Sequence, residues 1–204
     1  GLKIMFATAL SSTLEGDPIW LYIVGPAGAG KTALLSSLRK SPRITYLSSI
    51  SPRSLVSGCK CDNDPSLLPK LRDKCLVWKD FTEILCLHPN DKEEVYSVLR
   101  GAFDGGLRKT FGNGVIREYD NIRFSMLAGV THAIYGERQE ALGERFLKYR
   151  LTPDIDPSEQ IGAAIDNIGS DKQRDDEIQT AGCRFLQRKV DGKNLPNCPE
   201  WAKR

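Results

Sequence analysis

The sequence lacks several features that would point directly to a membrane, metal or nucleic-acid function. No apolar run approaches the roughly 18 residues of a membrane-spanning helix, so we expect no membrane partner. The net charge is only +3, which permits nucleic-acid binding without arguing for it. Cys59 and Cys61 have no second cysteine or histidine pair at zinc-ligand spacing. These absences leave an ordinary globular composition, with 40% hydrophobic residues.

Residues 25–32 form the most informative stretch. Gly25-Pro-Ala-Gly-Ala-Gly30-Lys31-Thr32 fits the pattern G-x-x-x-x-G-K-[ST] of a phosphate-binding loop. The apolar run Trp20–Val24 before it predicts a buried strand, and residues 32–38 after it predict an amphipathic helix. This order forms a phosphate cradle, because glycines let backbone N–H groups wrap an anion and the helix N-terminus adds a positive dipole end.

The loop therefore predicts a nucleoside triphosphate, taken as ATP, with Mg²⁺. Lys31 can reach the β- and γ-phosphates, and the Thr32 hydroxyl can hold Mg²⁺. The predicted ATP-binding residues are Gly25, Pro26, Ala27, Gly28, Ala29, Gly30, Lys31, Thr32 and Ala33.

Other patterns along the chain predict an α/β fold with a central parallel sheet covered by helices on both faces. Apolar runs predict further strands at 44–47, 75–78 and 124–131. Helices are predicted at 2–14, 51–57, 90–103 and 139–148, and mainly polar helices from 157 onward. Alternating runs on either side of Gly112-Asn-Gly114 predict a β-hairpin over 107–119. The predicted units are an ATP-binding core at 1–153, a partial helical lid at 154–190 and a tail at 191–204.

An acidic residue is expected opposite the phosphate loop, at the end of a neighbouring strand. Asp80 follows the apolar run Cys75–Trp78, separated from it by Lys79. The usual pattern is four apolar residues followed by Asp-Glu, so Lys79 falls on the metal-holding position and Asp80 on the water-activating one. In the alternative register, Asp80 is the metal acid, acting through water, and Glu83 is the base. The sequence leaves both registers open.

The order of these parts resembles the AAA+ ATPases that carry a β-hairpin before the sensor-1 strand, a group that includes the minichromosome-maintenance helicases and the bacterial enhancer-binding activators. The sequence from Ala7 to Leu151 is similar to the ATPase domains of phage and mobile-element replication proteins. Those domains often carry the Lys-Asp-Phe-Thr form of the acidic motif. The resemblance implies a P-loop NTPase three-layer αβα sandwich of AAA+ type, with a hairpin insertion and a small C-terminal helical segment.

The resemblance also implies roles for residues far from the loop. Leu127-Ala-Gly-Val-Thr131 matches the sensor-1 strand and places Thr131 near the γ-phosphate or the attacking water. Gly143-Glu-Arg145-Phe146 matches the arginine-finger motif of the helicases, and Lys148-Tyr-Arg150-Leu matches the activators. Arg145 or Arg150 would then reach the ATP of a neighbouring subunit, which implies a homo-oligomeric ring, expected to be a hexamer.

The hairpin is the expected DNA contact. It carries Lys109, Arg108 and Arg117, and the matching hairpin of the helicases reaches DNA in the pore of the ring. The leading interpretation is thus the ATPase motor of a DNA replication helicase, with replication proteins as further partners. Two alternatives stay open: an ATP-dependent helicase loader or protein-remodelling regulator, and a nucleotide-binding assembly module with little hydrolysis.

The cysteines and the first residues of the chain give two further expectations. The cysteines lie at irregular spacings, which together with an ATP motif predicts free thiols in a reducing cytoplasm. The first residue is Gly1, in a segment with helical pattern, so we expect the chain to be part of a longer protein.

Overall fold

The computed structural model describes residues 1–136, 142–152 and 171–187. Seven strands are described in them: β1 Trp20–Val24, β2 Ile44–Leu47, β3 Cys75–Trp78, β4 Gly106–Thr110, β5 Ile116–Asp120, β6 Ser125–Val130 and β7 Phe146–Arg150. The α-helices are α1 Leu2–Ser11, α2 Lys31–Ser36, α3 Thr82–Leu85, α4 Pro89–Phe103 and α5 Asp171–Leu186. Short 3₁₀ helices lie at Pro52–Ser54, Leu68–Leu71, His132–Tyr135 and Gly143–Arg145.

Five of these strands form one parallel sheet, in the order β2-β3-β6-β1-β7. All five strands share one direction, so their carboxyl ends meet along a single edge of the sheet. The strand β1 lies between β6 and β7, and β3 is separated from β1 only by β6. Loops that follow β1, β3 and β6 are therefore neighbours, which is the arrangement that gathers functional side chains in open α/β sheets.

Each face of the sheet packs against its own layer of helices. On one face, Trp20, Tyr22 and Trp78 form part of an aromatic core with Phe81 and residues of α4. On the other face, the buried side chains are mainly aliphatic and meet α1, α2 and the end of α5. Alternate residues of β1 enter opposite clusters because successive strand side chains point to opposite faces. The α/β prediction of a parallel sheet covered on both faces is confirmed.

The strand β7 corrects one prediction. The sequence predicted a helix over 139–148, but residues 146–150 pair with β1 along its whole length, from Trp20↔Phe146 to Val24↔Arg150. Tertiary packing explains the difference: the Phe146 ring stacks on Tyr22 at 3.9 Å and lies 5.1 Å from Trp20. Residues 139–141 of that predicted helix lie outside the described residues.

Several helix boundaries also differ from the predictions: α1 ends at Ser11 and not at residue 14, and the helix predicted over 51–57 is a 3₁₀ helix over Pro52–Ser54. The helix α2 ends at Ser36 and continues as turns, although the pattern predicted a helix as far as residue 38. The helix α4 begins at Pro89, with His88 as its N-cap: the His88 Nδ1 accepts a hydrogen bond from the Asn90 amide at 3.4 Å. Pro89 suits the first helical position because that position needs no N–H donor. His88 therefore has a structural role.

The predicted hairpin is present as β4 and β5, paired antiparallel from Gly106↔Asp120 to Thr110↔Ile116. It forms a separate two-stranded sheet. Its turn is tied to the loop that precedes β3, because the Asn113 side-chain amide donates to the Gly58 carbonyl at 2.7 Å.

The loop at 57–66 contains a further correction. Cys59 and Cys61 form a disulfide, with their Cα atoms 5.5 Å apart, whereas the sequence predicted free thiols throughout. The two cysteines flank a single residue in an exposed segment. Cys75, Cys86 and Cys183 are free, and Cys198 lies outside the described residues.

Among the described helices, none has both the length and the apolar character that a membrane crossing requires.

Candidate functional site

A polar cavity of about 240 Å³ lies at the carboxyl edge of the sheet, and we call it the carboxyl-end cavity. Its walls come from the loops after β1, β2, β3 and β6. It is lined by Ala27, Gly28, Lys31, Thr32, Ser48, Lys79, Asp80, Glu83 and Thr131. The structure thus brings together four of the nine predicted ATP-binding residues, both acidic candidates and the sensor candidate that the sequence indicated separately.

The loop after β1 has a backbone shape that depends on glycine. Gly28 and Gly30 have φ angles of 79° and 76°, in the left-handed region where a side chain is strained. Within the described residues, the backbone amides of residue 28 and of residues 30–32 donate to no other protein group. Backbone amides without a protein partner are the donors that an anion-binding loop offers.

Lys31 is held within the same loop. Its ammonium group donates to the carbonyl oxygens of Gly25 at 2.8 Å and Pro26 at 2.7 Å. Both acceptors are neutral, so the positive charge of Lys31 is not neutralised by them. An anion that enters the cavity can replace these carbonyl contacts with an ion pair, in which both partners carry a charge.

Asp80 is fixed by the turn between β3 and α3. Its Oδ1 accepts from the Thr82 amide at 2.9 Å, and the other carboxylate oxygen has no hydrogen-bond partner among the described residues. The Thr82 hydroxyl in turn accepts from the Thr131 amide at 3.1 Å. These bonds connect the ends of β3 and β6, so the spacing between Asp80 and Thr131 is set by the protein.

Gly129 makes this connection sterically feasible. A Cβ atom at residue 129 would lie 2.5 Å from the Lys79 carbonyl oxygen and 3.1 Å from the Leu35 Cδ1. The Phe81 amide also donates to the Gly129 carbonyl at 2.7 Å. The chain that carries Lys79 and Asp80 therefore passes directly over Gly129, where only glycine leaves room.

Two lining residues were not predicted as site residues. Ser48 follows β2 directly, and Lys79 follows β3, where its amide continues the ladder by donating to the Leu47 carbonyl at 2.9 Å. The available signal was position: both are polar residues at the carboxyl ends of parallel strands. Alternation along β3 assigns Lys79 to the same face as Cys75 and Val77, which is the face covered by α2.

The two arginine candidates lie at opposite ends of β7. Arg150 is exposed and sits opposite Val24, one residue before the phosphate loop. Arg145 precedes the strand at the amino edge, roughly 16 Å away for five residues of strand. Arg145 makes a bidentate ion pair with Asp104 at 3.1 Å and lies over the Phe103 ring. It cannot reach the carboxyl-end cavity of its own chain.

The hairpin cations already have protein partners. Lys109 pairs with Glu94 of α4 at 2.6 Å, and its ammonium lies 5.3 Å from the Phe111 ring centroid. Arg117 donates to the carbonyls of Ser57 and Cys59 and pairs with Asp64 at 3.5 Å. Arg108 is the exposed cation: 66% of its side chain is accessible, and it lies 3.8 Å from Glu118.

The hairpin network shifts two pKa values. Burial, together with its hydrogen bond to Asp64, raises the pKa of Tyr119 to about 12. Burial alone would raise the pKa of Asp64, but hydrogen bonds from Ser66 and Tyr119, with Arg117 nearby, lower that pKa below its usual value. These shifts arise in contacts that hold the hairpin against the loop at 57–66.

His132, after β6, is exposed and stacks on Tyr135.

The sequence matches no protein-family profile, and a search of curated proteins finds no match.

Proposed function

We propose that this chain binds a nucleoside triphosphate with Mg²⁺ and hydrolyses it, as an ATPase core of the AAA+ type. The observation that carries the proposal is the carboxyl-end cavity, in which Lys31 and Thr32 of a glycine loop lie with Asp80 and Thr131. Binding needs amide donors and a cation for the phosphates, and the loop offers both. The volume of the cavity suits the phosphate chain, so the nucleoside would extend beyond the cavity.

The residues present also fit a bound magnesium ion. The Thr32 hydroxyl and the Asp80 carboxylate are oxygen donors of the kind that Mg²⁺ prefers, and both line the cavity. When bound, the ion would neutralise charge on the phosphate oxygens. Lys31 would stabilise the charge that builds up on the transferred phosphoryl group, and catalysis of this kind depends mainly on positioning and electrostatics.

In the register in which Thr32 alone holds the ion, Asp80 is our candidate for orienting and deprotonating the attacking water. Its second carboxylate oxygen is available, and its hydrogen bond from the Thr82 amide fixes its direction. Thr131 would position the same water or the γ-phosphate from the neighbouring strand. Glu83 is exposed on the cavity wall and is the competing base. Comparing Asp80→Asn with Glu83→Gln separates them: we expect the first to reduce turnover by about 100-fold or more and spare ATP binding.

We further propose that the ATPase works as a homo-oligomeric ring, expected to be a hexamer, that moves DNA as a replication helicase. Arg145 is the candidate finger of this ring. It lies at the opposite edge of the sheet from the cavity of its own chain, so a neighbouring subunit would have to use it, and its ion pair with Asp104 would have to open first. Arg145→Ala should then remove turnover and spare ATP binding. The direct measurements are mass in solution with and without an ATP analogue, and ATPase rate with and without single-stranded DNA.

A second candidate function is a nucleotide-binding assembly module with little hydrolysis. The observation that favours it is Lys79, a cation at the position where the usual pattern has a metal-holding acid. Binding of Mg·ATP with no turnover, unchanged by Asp80→Asn, would support this candidate over the ATPase.

A further inference from the structure

Lys79 is a charged lining residue of the carboxyl-end cavity whose chemistry the proposed ATPase does not use. Its backbone is fixed on both sides: the amide donates to the Leu47 carbonyl at 2.9 Å, and its carbonyl lies against Gly129. The side chain therefore starts from a fixed point at the cavity wall, beside Ser48.

The Lys79 side chain is available to a ligand. Among the described residues, its ammonium group makes no ion pair or hydrogen bond, although Asp80 and Glu83 line the same cavity. One oxygen of the Asp80 carboxylate accepts from the Thr82 amide. Lys79 and Lys31 thus bring two positive charges into one small cavity, from the loops after β3 and β1.

A lysine at this position acts opposite to a carboxylate. An ammonium group has three donors and no acceptor, so it cannot coordinate a metal ion, and its charge repels one. The same group attracts phosphate oxygens strongly. Alternation along β3 directs it to the α2 face, on which Lys31 and Thr32 begin the helix.

We propose that Lys79 is a second phosphate-binding residue of this cavity, which contacts the terminal phosphate of a nucleoside triphosphate and makes its binding less dependent on Mg²⁺. The inference rests on the proposed nucleotide binding and adds a residue that selects triphosphate over diphosphate. Lys31 serves the loop side of the phosphate chain, and Lys79 serves the opposite wall.

The test is equilibrium binding of a non-hydrolysable ATP analogue and of ADP to the full chain, with Mg²⁺ and with EDTA. In EDTA, we expect Lys79→Ala to weaken analogue binding about tenfold, as loss of one charge-assisted contact would, and ADP binding by less than about twofold. Lys74→Ala is the matched control, because Lys74 precedes the same strand at its other end and has the same charge. It should change neither affinity.

Lys79→Asp gives the reciprocal result. A carboxylate there should further weaken analogue binding in EDTA and increase the gain on adding Mg²⁺ beyond that of the unmodified chain. Equal losses for the analogue and ADP, or no loss with Lys79→Ala, would overturn the role of Lys79. Failure of the nucleotide proposal itself is distinguishable, since the unmodified chain would then bind neither nucleotide and Lys31→Ala would change nothing.

Discussion

The carboxyl-end cavity and the β4–β5 hairpin both carry the lysines and arginines expected at a functional surface, yet the protein uses these cations differently. In the hairpin, Lys109 pairs with Glu94, and Arg117 pairs with Asp64 and two backbone carbonyls. In the cavity, Lys31 bonds only to neutral carbonyls, and Lys79 has no ion pair among the described residues.

This difference separates cations that hold the fold from cations that are available to a ligand. Residue type and spacing predict both groups equally well. Only the partners distinguish them, because a charge already neutralised by the protein gains little from a phosphate, whereas an unneutralised one gains a charge-assisted bond. By the same criterion Arg145, which pairs with Asp104, holds the fold in this chain, and it becomes available to a ligand only when that pair opens.

The largest expected effect is that of Lys31→Ala on catalysis. We expect a loss of about 100-fold or more in ATP turnover, because one charged donor to the transferred phosphoryl group disappears. The free energy of unfolding should change by less than about 0.5 kcal/mol, since Lys31 bonds only to its own loop. Lys70→Ala, at an exposed position, is the control. Turnover at the parent rate in the Lys31 variant would contradict the site assignment.

Gly129→Ala tests the geometry of the cavity. The added methyl group meets the Lys79 carbonyl at 2.5 Å, so we expect a loss of about 1–3 kcal/mol in unfolding free energy from overpacking. Turnover should also fall because the chain carrying Asp80 must move. Urea denaturation measures the first effect. Gly112→Ala is the matched control, since nothing lies within 4 Å of a Cβ atom there; similar losses in both variants would refute the steric explanation.

The hairpin variants should affect stability or DNA binding and leave ATP affinity unchanged. Lys109→Ala removes a half-buried ion pair, and we expect it to cost about 1 kcal/mol of stability without changing ATP affinity. Arg108→Ala removes an exposed side chain, so its stability cost should stay below about 0.5 kcal/mol. If the hairpin contacts DNA, Arg108→Ala should weaken binding to single-stranded DNA more than Lys109→Ala does, as measured by fluorescence anisotropy. The opposite ranking would show that DNA displaces Glu94 from Lys109.

The smallest expected effect is a pH dependence of the hairpin anchor. The pKa of Asp64 is lowered in the folded state, so its contribution to stability is complete above the usual aspartate pKa and is lost as the pH falls through the folded value. Asp64→Asn should therefore destabilise the protein by about 0.5–1 kcal/mol at pH 7. The difference from the parent chain should shrink below about pH 4. A difference that persists at low pH would assign the effect to packing.

Sequence reasoning predicted most of the sheet because its central strands are continuous apolar runs. The segments Trp20–Val24 and Cys75–Trp78 are buried on both faces, and such runs have one interpretation once their flanks are known. The edge strand β7 was missed, since Phe146 is buried while Leu147 and Lys148 are exposed, a pattern that fits a helix equally well.

The cavity was predicted in part. The phosphate loop is a local pattern, so Lys31 and Thr32 were found from spacing alone. Ser48 was missed because its position after the predicted strand 44–47 is a weak signal by itself. It joins the cavity through the pairing of β2 with β3. The pairing of Lys109 with Glu94 likewise depends on how the hairpin packs against α4, which no short pattern encodes.

The position of Trp78 gives this protein an internal optical signal. Its indole is fully buried, lies 5.1 Å from the Phe81 ring, and is followed in the chain by Lys79 and Asp80. Trp20, the other tryptophan in the described part of the chain, lies at the start of β1, at the amino ends of the strands and away from the cavity. A chain with Trp20→Phe and Trp201→Phe would therefore emit from Trp78 alone, and events at the cavity wall could be followed in real time without a label.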